Sequence, residues 1–295
     1  SNAASVPTVC AKFNQSWDGA APSSRLRDWL DPANTATTLN GYEPVAAPGV
    51  QVKLRAMLEG PYNTVSSNMN DGLRAVDLIN LTEPYTGLGY THVNGGGNET
   101  TTAGVLGVTG TSAVVDWVVV ELRNKNNSSQ ILGTRSALLL RNGNIVDMNG
   151  TSDVVFANLT ADDYYIAIRH RNHLGIMTQN AVALTSVGSL IDFSAGAATF
   201  GGTAATKLVG TARCLWAGDA SGDNVVMYTG TGNDRDLVLS RIGGSVPTLT
   251  AIGYYREDVN MDGVVKYTGS ANDRDPILVN IGGTVPTATR AAQLP

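Results

Sequence analysis

Asp258-x-Asn260-x-Asp262-Gly263 places three oxygen-bearing side chains at alternate positions, followed by a residue that can turn sharply. Alternate side chains on a curling loop can converge on one point, and a hard cation such as Ca²⁺ takes about six to eight oxygens at roughly 2.3 to 2.6 Å. The pattern is the first half of a twelve-residue calcium loop, with the backbone carbonyl of Val264, at position seven, as the next ligand. Position twelve is Gly269, which has no carboxylate, so something else must close the site. Closure is assigned to Asp273, at the start of a predicted helix, with Asp275 as the alternative. Lys266, at position nine, has no oxygen to give, so a water or a backbone carbonyl must fill that place.

The stretch beginning Gly218-Asp219 recurs at Glu257-Asp258, an offset of 39 residues that signals a duplicated structural unit. The first copy supplies Asp219, Ser221, Asp223, the Val225 carbonyl and Asp234, with Asp236 as the alternative closing group. Ser221 is a poorer donor than Asn260, and Asn224 stands where the second copy has glycine, although Asn tolerates a left-handed backbone. The first site is therefore expected to be the weaker of two calcium sites. The competing account is a pair of Asx-rich turns capping short helices. Duplication at the same spacing favours calcium. Each predicted helix is shorter than the ~12 to 15 residues at which isolated helices become marginal, so metal binding would couple to their folding. Both copies end at Ile-Gly-Gly-x-Val-Pro-Thr, Ile242 to Thr248 and Ile281 to Thr287, where glycine and proline stop a helix.

The elements that must carry these loops lie upstream. Between Pro48 and Arg213 apolar runs of strand length alternate with Gly, Asn, Asp and Ser clusters, with hardly any helical period. The prediction is an antiparallel, Ig-like β-sandwich over 48–213, followed by a small helical calcium-binding repeat domain over 214–295. Arg141-Asn142-Gly143-Asn144 reads as a type I′ hairpin turn. Alternation over Tyr164 to Arg171 puts Tyr164, Ile166, Ile168 and His170 on the face that makes the better core. Residues 4–47 read as a proline-punctuated lead-in with a short helix at Ser23 to Leu30, and 1–3 as the remnant of a cleaved tag, so the chain is expected to be a piece of a longer protein.

Composition excludes several classes. Twenty Lys+Arg against 25 Asp+Glu, with no basic run, leaves no footprint for nucleic acid. No stretch approaches the roughly 18 apolar residues of a membrane span. Cys10 and Cys214 lack metal or redox spacing, and their pairing is left open. Abundant Asn, Thr, Ser and Gly with scarce lysine lean towards an extracellular β-protein.

Two DxNxDG-type half-loops followed by short apolar helices resemble the type I dockerin, over about Ala217 to Thr287. That resemblance implies a calcium-dependent module that docks onto cohesins in polysaccharide-degrading assemblies. Gly89 to Val93, Val115 to Arg123, Ile168 to Leu174 and the paired Tyr-Thr-Gly-x-x-Asn-Asp-Arg are similar to the C-terminal region of large bacterial secreted or surface proteins of hemagglutinin- or adhesin-like type. This second resemblance implies a secreted or surface location and a non-catalytic role in support, adhesion or assembly. The expected partners are a cohesin-like protein or a surface glycan.

Other signals point away from chemistry. His170 and His173, at i,i+3 on a strand, are expected to face opposite ways and make no metal site. The glycine run Asn94 to Glu99 lacks the order and the helix of a phosphate-binding loop. Glu59, Asp116, Glu121 and Asp147 are the carboxylates a hydrolase would draw on, but no motif links any pair and no G-x-S-x-G occurs. No catalytic residue is assigned.

Overall fold

Ten consecutive residues of the strand Val114–Asn124 are buried, which is why its sequence is largely apolar rather than alternating, with the charged Asp116, Glu121 and Arg123 buried among them. This strand organises the first of two apolar cores. The computed structural model describes residues 49–295 and the short strands Lys12–Phe13 and Tyr42–Glu43, which pair antiparallel. The chain divides into two compact units, Ser1–Pro48 and Gly49–Pro295. The helix expected at Ser23 to Leu30, and Cys10, lie outside the described residues. Cys214 is a buried thiol.

The second unit is mostly β and largely antiparallel, as its sequence predicts. Val114–Asn124 pairs with Asn127–Leu140 on one side and Asp162–Arg169 on the other. Asn127–Leu140 continues through Asn144–Val146 to Val50–Arg55. The strands belong to one nine-stranded sheet, not to two separate facing sheets. Val182–Leu184 pairs with the outer edge of Asp162–Arg169, while Leu190–Asp192 lies parallel on the outer edge of Val50–Arg55. Gln51 N–H donates to Thr185 O at 2.8 Å between those edges. Residues 182–192 thus bridge the outer edges of Asp162–Arg169 and Val50–Arg55 and curl the sheet towards closure like a barrel. The predicted sandwich is corrected in this respect: strand count and alternation are the same for both architectures, and only long-range pairing separates them.

The 141–144 hairpin also differs from expectation. Only Gly143 has a positive φ, +87°, and Asn142 instead uses its side chain to accept from Asn144 N–H at 3.0 Å. The connection is an Asx turn with a glycine rather than type I′. Along Asp162–Arg169, Tyr164, Ile166 and Ile168 are buried in the first core, as the alternation predicts.

Arg213 and Cys214, placed on either side of a domain boundary by sequence, lie within one strand, Ala212–Leu215, which pairs in parallel with Met57–Leu58. Beyond it a second apolar core gathers Val226, Val238, Val265 and Ile277 with Leu174 and Val259. Each copy of the repeat contributes a loop, a short strand, a helix and a tail. The helices are Asp234–Arg241 and Arg274–Asn280. Asn233 caps the first by accepting from Asp236 N–H, and Asn272 accepts from Asp275 N–H in the same way, each at 2.9 Å. The tails are exchanged. Val225–Met227 of the first copy pairs with Thr289–Ala291 after the second, and Val264–Lys266 of the second pairs with Thr250–Ile252 after the first. Thr229 donates to Pro286 O and Thr268 to Pro247 O, the same exchange made by side chains.

Candidate metal centre

In the first loop Asp219 is buried and its carboxylate accepts from the backbone N–H groups of Gly222, Asp223 and Asn224 at 2.8 to 3.1 Å. Asp234 reaches back from the helix start, accepting from Ser221 N–H at 2.9 Å with one oxygen and Met227 N–H at 2.7 Å with the other. The second loop repeats this geometry. Asp258 accepts from Asp262 and Gly263 N–H, and Asp273 from Val259, Asn260 and Lys266 N–H. Asn224 and Gly263 make the expected left-handed turn, with φ of +71° and +89°. Val225 and Val264 begin the strands that leave each loop.

Asp223 and Asp262 each fold over their own loop, accepting from the N–H two residues on at 2.8 and 2.9 Å. Ser221 Oγ lies 3.3 Å from Asp219 Oδ1, and Asn260 Oδ1 accepts from Asp262 N–H. The structure separates the two closing candidates in each copy. Asp234 and Asp273 join the loops, whereas Asp236 and Asp275 turn outward, bonded to Asn233 and Arg235 or Asn272 and Arg274. The Asn-x-x-Asp spacing of a reciprocal helix cap carried this information in the sequence.

Four buried carboxylates in such loops are electrostatically unsatisfied. Burial, then Asp234 and Asp223, push Asp219 up to about 7. Burial pushes Asp234 up to about 6 against the hydrogen bonds from Met227 and Ser221. Burial holds Asp258 at about 6, although Arg171 pulls it down, and burial carries Asp273 to about 7 with Asp258 adding to it. Among the described residues no group of three or more His, Cys, Asp or Glu converges as a metal site by itself. A cation placed here would have to draw on Ser221 or Asn260 and on carbonyl oxygens as well, a mixed oxygen set of the kind that suits calcium.

The seat beneath the loops was missed by sequence reasoning. The Asp162–Arg169 strand runs into Arg169-His170-Arg171-Asn172-His173, and this segment grips both loops. Asn172 O accepts from Gly218 and Asp219 N–H at 3.1 and 3.2 Å. The Asn172 side chain donates to Asp258 O at 2.7 Å and Arg256 O at 3.0 Å. Arg169 donates to Asn224 Oδ1 at 2.8 Å, and Arg171 to Tyr255 O. Close approach of backbone to backbone completes the seat for the second loop. A Cβ on Gly72 would come within 2.8 Å of Met261 O, and one on Gly60 would overlap Val259 O.

His170 and His173 do not face opposite ways. The strand ends at Arg169, the chain bends, and the two Nδ1 atoms meet at 3.1 Å in a fully buried contact. Gly60 N–H donates to His173 Nε2 at 3.1 Å, so His173 carries its proton on Nδ1. His170 Nε2 lies 3.1 Å from Asp116 Oδ2. The His173 Nδ1 proton is offered to Asn172 Oδ1 at 2.8 Å as well as to His170, so the histidine pair is tied to the residue that holds both loops. Burial lowers the pKa of both histidines, keeping them neutral. Burial would raise Asp116, but Arg171, His170 and Tyr254 more than offset it and hold it at about 2.

The carboxylates considered for hydrolysis are engaged. Glu59 pairs with Lys207 at 2.5 Å and accepts from Asn280 at 2.7 Å, Glu121 pairs with Arg123 and Arg169, and Asp147 pairs with Arg135. The chain matches no protein-family model, and no curated protein or solved structure matches it.

Proposed function

We propose that this protein is a non-catalytic, calcium-binding module of a bacterial secreted or cell-surface protein, serving support, adhesion or assembly. The observation that carries this reading is the equivalence of the two loops. Each holds a pair of buried aspartates, Asp219 with Asp234 and Asp258 with Asp273, whose carboxyls keep their protons well above the usual range without a cation. Asp223 or Asp262 and a neutral oxygen donor complete each loop. Calcium would replace the protons and draw the short helices into register with the strands. On this reading the C-terminal repeat is dockerin-like in its loops, while the exchange of tails between its copies is its own. Surface location is supported by the Asn-, Thr- and Ser-rich composition alone.

Calorimetric titration of chelator-stripped protein with calcium, and with magnesium as control, tests the reading. Two calcium-selective events are expected. No heat together with unchanged thermal stability would make the repeats structural turns.

A further inference from the structure

Next to the first loop lies a cavity of about 200 Å³, bordered by Tyr85, Tyr90, Arg169, Arg171, Arg256 and Asp219 among others. Three arginines and one aspartate are among the residues that line it. Two of the three are matched: Arg169 by Glu121 and Arg171 by Asp116. Arg256 donates only to the backbone carbonyls of Ser221, at 3.0 Å, and Leu88, at 3.2 Å. Among the described residues it has no carboxylate partner. Two buried nitrogens, Arg171 Nη2 and Arg256 Nε, have no hydrogen-bond acceptor. Leaving such donors buried and unpaired is unfavourable, most of all on a charged group. Asp219 does not answer them, because its oxygens accept from its own loop. His170 and His173 add no charge.

We infer that this cavity is a binding site for a small oxyanion, a carboxylate or a tetrahedral phosphate or sulfate group, held by Arg171 and Arg256. Guanidinium donors make strong charge-assisted bonds to such oxygens, and Arg is the residue suited to hold them. The volume is below the roughly 300 Å³ at which pockets for organic ligands begin, so the ligand is a small anion or one acidic group of a larger molecule.

The test titrates acetate, phosphate and sulfate separately into the full chain at ionic strength fixed with chloride, read by calorimetry and by melting temperature. Wild type is compared with Arg256→Gln, since sulfate stabilises proteins generally by exclusion from their surface. Saturable one-site binding of at least one anion is expected in wild type, weakened about tenfold or more in the variant. Whether acetate or the tetrahedral ions bind identifies the source. If Arg256→Gln does not fold, crystals grown with selenate are expected to show anomalous density between Arg171 and Arg256. No saturable binding of any of the three, equal binding by a folded variant, or selenate absent from the cavity would overturn the inference. Running the titrations in both chelator and calcium makes the result independent of whether the loops hold metal.

Discussion

The second loop buries Val259 and Met261, the residues between its oxygen donors, whereas the first carries Ala220 and Gly222 at those places and leaves Gly222 exposed. Val259 packs into the C-terminal core and Met261 into that of the barrel-like sheet, so the second loop is pinned between two apolar clusters. The first loop rests on polar contacts from Asn172 and Arg169 and borders an open cavity. One motif, used twice, shares the polar grip of Asn172, and only the second copy adds apolar packing into both cores. A pre-formed loop gives up less conformational freedom on binding a cation, so on the proposed calcium reading the second loop would be the tighter site.

The largest effect that would break this comparison comes from Gly60→Ala. The added methyl overlaps the Val259 carbonyl, and the seat of the second loop must shift, at a cost of about 3 kcal/mol or more. Calorimetry should then show the tighter calcium event lost and the weaker retained. Two unchanged events would mean that the glycine contact does not position the loop. Next comes Asn172→Ala, which strips Asp258 O and Arg256 O of a donor and costs about 2 to 4 kcal/mol. Because Asn172 holds both loops, denaturant melts should show the loss with and without calcium.

A paired substitution sharpens the ranking. Asp262→Asn and Asp223→Asn each remove one charge from the mouth of a loop and should weaken its own site about tenfold. The first is expected to affect the event that fills first, the second the event that fills last; the reverse order would invert the comparison.

The smallest effect is in the pH profile of the metal-free protein. Asp219, Asp234, Asp258 and Asp273 hold protons more tightly folded than unfolded, so their contribution is full below about pH 4 and is lost as pH rises through 6 to 7. His170 and His173 act oppositely: they are held neutral, so their contribution is present above the unfolded value near 6.5 and is lost as pH falls. Four carboxylates outweigh two histidines, so melting temperature in chelator should fall from about pH 5 to about pH 7 and level off above that, and calcium should remove the fall. A chelator curve that rises from about pH 5 to about pH 7 would contradict the raised carboxylates.

The parts legible in the sequence were local. Buried strands such as Val114–Asn124 are predominantly apolar, and the loops carry their donors within a few residues. Asp234 and Asp236 stood as alternatives because the calcium-loop spacing ranks neither; the Asn-x-x-Asp cap, which engages Asp236 with Asn233, was the legible signal that separates them. Closure of the sheet rests on Gln51 meeting Thr185, and the seat on Asn172 meeting Asp258; neither leaves a local signature. His170 and His173 were misplaced because period-two reasoning was carried past the strand's end at Arg169.

The exchange of tails sets an order in time. Ile252 waits only for Val264, but Met227 waits for Thr289, by which point the whole second copy has been made. Ring-closure entropy grows slowly with length, so the delay alters stability little, yet non-local pairings form late. The loop encoded first is therefore completed last during synthesis, and a chain cut anywhere between Ile281 and Thr289 would leave the opposite copy unfinished.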